Sequence, residues 1–499
     1  MPDAADLASL LQRALALHKR GALAEAERRY RGLLELAPQH FDALHLLGVL
    51  ARQRGQAQLA VGLIERALAV DAGQAIAWCN LGTAWQDLGA ADRALAAFDR
   101  ALALDPGYAL AHNNRGNACR NLGWHDEALA CYDAALLAKP DYADAALSRG
   151  TVLHQQERYG EALAAYEAAL KLRPDADGCS NRGSVLYALG QFEDALQSME
   201  RALRLDPKYA SAWCNRGMTL QKLERQDDAL ASYDHALELR PQHAEAWLYR
   251  GNVLRLLGRG DEAIVSYRRA RTFGADAEQI AYFLAALGEG EAPAASPASY
   301  VKNLFDRYAS HFDEHLVDVL HYRTPQLLLA ALAQAGIAVR GDCIDLGCGT
   351  GLAGLLLRPK VETLHGVDLS QAMLGKADGR AIYDTLACED ISTCLARHHG
   401  AFDLAVAADV LVYVGDLMPL MHAAHGALRA GGAFVFSVEE TTEDVYVLQR
   451  SHRYAHARPY VECAAREAGF VVKHVERCAL REDEGAEVGG LVVVLVAGG

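Results

Sequence analysis

A spacing of 34 residues runs through the first half of this 499-residue chain. Pro106, Pro140 and Pro174 keep it, as do Pro207 and Pro241. So do Gly48, Gly82, Gly116 and Gly150, and again Gly183, Gly217 and Gly251. A repeat of this length restricts the chain to a stack of helix pairs, each burying its apolar face against its neighbours. The glycine and an early alanine are small where two helices cross closely. The aromatic at Phe98, Tyr132, Tyr166 or Tyr233 is expected to fill space between neighbouring repeats. The proline stops the second helix, since it cannot continue the hydrogen-bond ladder. Units fall at 7–40, 41–74, 75–108, 109–142, 143–176, 177–209, 210–243 and 244–277. The sixth is one residue short near Asp177-Gly178. The first has Ala14 in place of the glycine and the last lacks the proline, as capping units do.

In residues 75–108 the pattern reads Trp78, Leu81, Gly82, Trp85, Ala94, Phe98, Ala101, Pro106. It resembles the tetratricopeptide repeat, which implies an α-solenoid over residues 1–280. Asn80, Asn114, Asn181 and Asn215 share the sixth position of the first helix, and Asn117 and Asn252 the ninth. O-linked N-acetylglucosamine transferases carry similar repeats, and their concave-face asparagines grip an extended peptide. An amide suits that task because it donates to C=O and accepts from N–H. The competing reading is a set of hydrogen bonds between adjacent helices, and Leu46, Ser148 and Tyr249 break the ladder. The array in either case implies a protein or peptide partner.

The chain is too long for one compact core, and at 52% hydrophobic residues it is not largely disordered. Its net charge is −15. Residues 301–499 carry 17 Lys and Arg against 26 Asp and Glu, leaving 32 against 38 for residues 1–300. Neither part is basic, so nucleic acid is not an expected partner. The 11 cysteines form no C-x-x-C pair, which argues against a disulfide framework and structural zinc. Cys79 and Cys214 fall on equivalent repeat positions and read as small core residues. The N-terminal residues do not read as a signal peptide, and no apolar run is long enough for a membrane span. A reduced, cytoplasmic setting is expected.

Residues 281–299 include GEGEAPAASPAS at 288–299, which reads as a flexible joint. An amphipathic helical stretch follows from Tyr300 to Leu320, and a second helix from Tyr322 to Leu332 with Thr324-Pro325 at its start. Strand candidates are Cys343–Leu346, Thr363–Val367, Thr385–Ala387, Leu404–Ala407, Ala433–Val438, Phe470–Glu476 and Leu491–Ala497. Their alternation with helical segments predicts a doubly wound, Rossmann-like, seven-stranded domain over 300–499. The last two strands, with no helix between them, are expected to pair antiparallel.

The chemistry gathers at Asp345-Leu-Gly-Cys-Gly-Thr-Gly351, between a predicted strand and helix. Gly349-Thr-Gly351-Leu-Ala-Gly354 fits the dinucleotide fingerprint, with Asp368 near the expected distance. Asp345, two residues before the first glycine, favours another ligand, because a pyrophosphate would be repelled there and an ammonium attracted. The segment resembles motif I of class I S-adenosylmethionine-dependent methyltransferases. That resemblance extends through Gly366-Val-Asp368-Leu369-Ser370 with Met373, Glu389-Asp390, Phe402 through Asp409-Val-Leu, and Leu428-Arg-Ala-Gly-Gly432. It implies S-adenosylmethionine as co-substrate, held by Asp345, Gly347, Gly349, Gly351, Asp368, Leu369, Met373, Asp390 and Asp409. Asp368 would take the ribose hydroxyls, Asp390 or Glu389 the adenine amino group, and Asp409 a place beside the methyl. A helix-capping role for Asp368 is the plainer alternative.

The acceptor is open. Residues 300–320 resemble the lids of small-molecule methyltransferases, with Phe305-Asp306 and Tyr308 among them. Tyr413 lines an acceptor pocket or packs. In Ser451-His-Arg-Tyr-Ala-His456, His452 and His456 are base candidates and Arg453 a clamp for an acid group, against the reading that all three are surface or supporting residues. Two histidines four apart also suit a metal on a helix, but no third ligand is apparent and none is expected. The whole chain resembles a bacterial group of predicted methyltransferases containing tetratricopeptide repeats. Two functions follow: an active methyltransferase whose array recruits a protein, or a binding scaffold whose second domain senses S-adenosylmethionine.

Overall fold

The structure, a computed structural model, describes residues 4–309, 312–314, 322–483 and 486–498. The chain divides into two compact units, Met1–Pro241 and Gln242–Gly499. In the first, α1 (Ala4–Lys19) pairs with α2 (Leu23–Leu36), α3 (Phe41–Gln53) with α4 (Ala57–Val70), and α5 (Ala75–Asp87) with α6 (Ala91–Leu104). The series continues with α7 (Ala109–Asn121) and α8 (His125–Ala138), α9 (Ala143–Gln155) and α10 (Tyr159–Leu172), α11 (Ala176–Ala188) and α12 (Phe192–Leu205), α13 (Ala210–Lys222) and α14 (Gln226–Leu239). The N-terminal helices form the expected solenoid.

The repeat glycines have a specific neighbour. A Cβ at Gly82 would lie 2.6 Å from Phe98 Cε1, and one at Gly217 the same distance from Tyr233 Cε1. Gly116 and Gly150 meet Tyr132 and Tyr166 in the same way. The aromatic thus closes against the glycine of its own repeat, and Phe98 and Tyr132 also share core clusters with Ala111 and Val152 of the next repeat. Each first helix ends in a tight left-handed turn. At Gly55, Gly89, Gly123 and Gly190 φ lies between +71° and +77°. Gln56 N–H bonds to Ala51 O at 2.9 Å across the first of these turns, satisfying a terminal carbonyl. Glu157 and Glu224 hold the same turn at φ +58°.

The second unit begins with the eighth repeat, α15 (Ala244–Leu256) and α16 (Gly260–Thr272), followed by α17 (Ala277–Ala286). The division falls at Pro241, and residues 281–299 lie within the second unit. Tyr282, Phe283 and Leu284 of α17 are buried. Ala295 forms an antiparallel bridge with Val414, Ser296 N–H donates to Tyr413 O at 2.8 Å, and Tyr454 Oη donates to Pro293 O at 2.6 Å. The Pro- and Ala-rich composition reflects an extended strip paired to backbone, which local composition does not distinguish from a linker.

The rest comprises α18 (Ala298–Tyr308), α19 (Phe312–Glu314), α20 (Thr324–Gln334) and an alternating β/α domain. Part of the helix expected over 300–320 lies outside the described residues. The strands are β1 (Asp342–Leu346), β2 (Thr363–Asp368), β3 (Thr385–Cys388), β4 (Phe402–Ala407), β5 (Leu428–Glu440), β6 (Tyr446–Leu448), β7 (Tyr454–His456), β8 (Phe470–Asp483) and β9 (Ala486–Ala497). Between them run α21 (Leu352–Leu357), α22 (Gln371–Gly379), α23 (Ile391–Ala396), α24 (Met418–Ala427) and α25 (Arg458–Glu467). Seven strands follow the order β3-β2-β1-β4-β5-β9-β8, with β1 to β5 parallel and β9 antiparallel to both neighbours. The expected antiparallel pair is therefore present. The β6–β7 hairpin is an addition, joined to β5 through Glu439 and Glu440.

Side chains alternate across the sheet as a strand requires. Phe434, Phe436, Val493 and Leu495 pack on one face with Leu420 and Val461, while Val435, Val492 and Val494 pack on the other with Leu328, Leu332 and Leu357. The strand order reverses between β1 and β4, so their carboxyl ends open the crevice where this fold places its ligands.

Candidate functional site

The loop after β1 carries three glycines in the left-handed region: Gly347 (φ +65°), Gly349 (φ +55°) and Gly351 (φ +93°). At Gly347 a Cβ would overlap Val410, beyond β4, and at Gly351 it would lie 3.1 Å from Tyr383 Cε2. The loop is pinned from β2. Gly349 N–H donates to Asp368 Oδ2 at 2.9 Å, and Cys348 N–H to Val367 O at 3.0 Å. Asp368 also accepts Ser370 N–H on Oδ1 at 2.8 Å. Burial raises its carboxyl above the usual range, opposed by these backbone donors. Ser370, not Asp368, caps α22, accepting Met373 N–H at 3.1 Å.

Asp345 ends up differently. It is 1% exposed, and the one hydrogen bond of its side chain among the described residues comes from Tyr383 Oη at 2.7 Å on Oδ2. Among the described residues no cation pairs with it. Burial, with a contribution from the Asp368 charge, pushes its carboxyl up to about 7.

Asp409 stands at φ +56° beyond β4. Its Oδ1 accepts Ser437 Oγ–H at 3.0 Å, and its Oδ2 lies 3.5 Å from Arg481 Nη1. Buried Arg481 also pairs with buried Glu439 of β5. Met373 is fully buried, so its side chain packs in the core beneath α22 rather than on the ligand surface. Asp390 is the N-cap of α23, its Oδ1 accepting Ser392 N–H at 2.9 Å and Thr393 N–H at 3.1 Å. Glu389 pairs with Arg397. Leu369 is half-buried after β2.

Segments before the sheet cover the loop. Asp306 of α18 accepts Ser370 Oγ–H at 2.6 Å. Asp313 of α19 accepts Thr350 Oγ–H and pairs with Arg380, each at 2.5 Å, while Arg380 Nε donates to Thr350 O at 2.6 Å. Phe312 approaches Gly349, and Phe305 meets Tyr413 edge-on with centroids 5.7 Å apart. Sequence reasoning noticed Phe305-Asp306 but gave the acid no partner. It missed Tyr383, Arg380, Glu439 and Arg481, each of which acts across a gap the local pattern does not encode.

His456 lies on β7, wholly buried, its Nε2 donating to Val414 O at 2.8 Å and Gly415 O at 3.1 Å. Burial pulls it down to about 4. His452 is buried, with its ring stacked on Phe283 at 4.3 Å and its carbonyl accepting Tyr282 Oη–H at 2.5 Å. Burial and the nearby Arg255 charge pull it down to about 3. Both are buried residues on or beside a strand. Arg453 lies beside Tyr413 and 3.6 Å from Glu439. Among the described residues no group of three or more His, Cys, Asp or Glu is gathered as a metal site. No helix there is long and apolar enough to cross a membrane.

In the array, Asn80 Nδ2 meets His45 Nε2 at 2.9 Å, Asn114 Nδ2 donates to Thr83 Oγ1 at 3.4 Å, and Asn215 Nδ2 to Ser184 Oγ at 3.4 Å. These bonds link consecutive repeats, and each amide stays half-buried, as does Asn181. Asn117 and Asn252 accept the hydroxyls of Tyr132 and Tyr267, within one repeat each.

Residues 344–436 match the family model of a methyltransferase domain. Tetratricopeptide-repeat models match residues 11–75, 114–177 and 214–279, with further repeat models at 75–108, 97–130 and 183–224. The chain carries tetratricopeptide repeats and a methyltransferase domain. Over 151 residues it is 29% identical to the biotin biosynthesis bifunctional protein BioHC of Saccharophagus degradans, covering 27% of this chain and 27% of that protein. Over 113 residues it is 34% identical to methyltransferase-like protein 27 of Homo sapiens, covering 22% of this chain and 46% of that one. Among solved structures, YrrB, a TPR protein with an unusual peptide-binding site, is 29% identical, with a TM-score of 0.33, over 37% of this chain and 95% of its own. The chain spans less than half the length of either curated relative.

The residues present fit a methyl donor of the kind the methyltransferase family implies. The donor carries an ammonium, and Asp345 is a buried carboxylate without a cation among the described residues. Asp368, anchored by two N–H donors, is half-buried at the adjoining strand end.

Proposed function

We propose that this protein transfers a methyl group from S-adenosylmethionine to an acceptor brought to it by the repeat array. Asp345 carries the reading: a carboxylate buried beside three left-handed glycines stays costly until a cation joins it. The donor's ammonium meets that need and a pyrophosphate opposes it.

The bound donor supplies an electrophilic methyl on a sulfonium, and the chain supplies alignment. Asp345 neutralises the ammonium. Asp368 takes the ribose hydroxyls, its geometry fixed by Gly349 and Ser370. Gly347, Gly349 and Gly351 let the backbone approach the donor closely. Glu389 and Asp390 lie toward the adenine, and Leu369 lies under it. Asp409, Tyr413 and Arg453 border the acceptor. The contacts of Asp306 and Asp313 hold α18 and α19 over the loop and exclude water. In the array, the half-buried amides of Asn80, Asn114, Asn181 and Asn215, with Asn117, offer a peptide backbone a surface, while Asn80, Asn114 and Asn215 also bridge repeats. The negative charge favours a protein over a nucleic acid. Eleven free thiols suit a reducing, cytoplasmic setting.

A labelled-methyl assay on cell lysate, resolved into protein, lipid and small-molecule fractions, tests this. Label in protein that falls when Asn114 and Asn181 are changed to Ala supports recruitment by the array. Donor binding with no label in any fraction supports a sensing scaffold instead.

A further inference from the structure

The phenol of Tyr383 occupies a slot cut by three glycines. A Cβ at Gly354 would overlap its hydroxyl, one at Gly351 would lie 3.1 Å from Cε2, and one at Gly366 would lie 3.0 Å from Cδ1. Gly351 and Gly354 belong to the segment that imitates a dinucleotide fingerprint. In that fingerprint the third glycine serves close helix–strand packing; here it clears a tyrosine hydroxyl. The ring sits just before β3, reaches across β2, and its hydroxyl donates to Asp345 Oδ2 at 2.7 Å. Burial and the Asp345 charge raise the phenol far above its ordinary range, so it remains a donor wherever the protein is folded.

We propose that Tyr383 is the positioning residue for Asp345, fixing the carboxylate that receives the ammonium of the methyl donor. The inference rests on the donor-site reading above. The hydroxyl occupies one carboxylate oxygen and favours the charged form, while the ring walls off the back of the site from water. Asp345 then presents its other oxygen, Oδ1, in one orientation. A hydrogen bond to a charged group typically changes affinity about tenfold or more when removed.

The test compares two ligands by calorimetry on the full-length chain. S-adenosylhomocysteine carries the ammonium, and 5′-methylthioadenosine lacks it. Tyr383→Phe keeps the ring and removes the donor. Gly354→Ala keeps the donor and displaces it. Both variants are expected to bind S-adenosylhomocysteine about tenfold more weakly at pH 7.5. Methylthioadenosine affinity should stay within about twofold, the scatter of an untouched contact. In Tyr383→Phe the pH at which S-adenosylhomocysteine affinity levels off should move upward, because the ionised carboxylate has lost a donor. Equal losses for the two ligands, or no loss for either, would overturn the positioning role. Failure of the unaltered protein to bind either ligand would overturn the donor site itself and the proposal with it.

Discussion

Replacing Asp345 with Asn separates the cost of this carboxylate from its use. The amide has nearly the same shape and still accepts from Tyr383, but it carries no charge. An aspartate titrates at about 3.9 in an unfolded chain, and burial holds Asp345 at about 7. The folded state therefore binds the proton more tightly. Its contribution is fully favourable below pH 4 and is lost as pH rises through 7. About three pKa units correspond to about 4 kcal/mol at pH 8, as a ceiling, and to about half that at pH 5.5. Asp345→Asn is thus expected to stabilise the unliganded domain, more at pH 8 than at pH 5.5, while weakening S-adenosylhomocysteine. Tryptophan fluorescence is a poor probe, since all five tryptophans (Trp78, Trp85, Trp124, Trp213 and Trp247) precede residue 300. Hydrogen exchange read on peptides covering β1 and β2 reports the local opening directly. Slower exchange in the variant at pH 8, with a smaller gain at pH 5.5, agrees with the argument. Equal gains at both pH values, or faster exchange, would refute the claim that an uncompensated charge sits there.

Other outcomes follow from single contacts. Glu224→Gly in the left-handed turn at φ +58° should stabilise the array by about 1 kcal/mol, seen in urea unfolding, whereas Gly89→Ala should cost a similar amount. Glu439→Gln leaves buried Arg481 without its main carboxylate and should cost about 3–5 kcal/mol, measured as a lowered melting transition of the second unit. Limited proteolysis should spare residues 288–299, because 293–296 are paired to 413–416 and 454; early cleavage there would restore the flexible joint.

What was legible in the sequence had local steric causes. The Gly82-type positions and the prolines recur because a ring or a helix end forces them, so phase and fold class came through. The acids at strand ends were legible because a parallel sheet places its carboxyl edge at one side, which put Asp345 and Asp368 beside the loop. What was illegible depended on tertiary placement. His452 and His456 look reactive by type, yet Phe283, Val414 and Gly415, far away in sequence, consume them. Met373 follows an acidic motif in order but turns inward. The strip at 293–296 has linker composition and strand-like pairing. Tyr383 meets Asp345 across 38 residues, and nothing local announces it.

The central claim is that the glycine loop holds a methyl donor. Calorimetric titration of the full-length protein with S-adenosylmethionine, alongside Asp368→Ala, tests it most directly. The expected result is one binding site per chain in the unaltered protein and none in the variant. No heat of binding from the unaltered protein, or full affinity retained by Asp368→Ala, would contradict it.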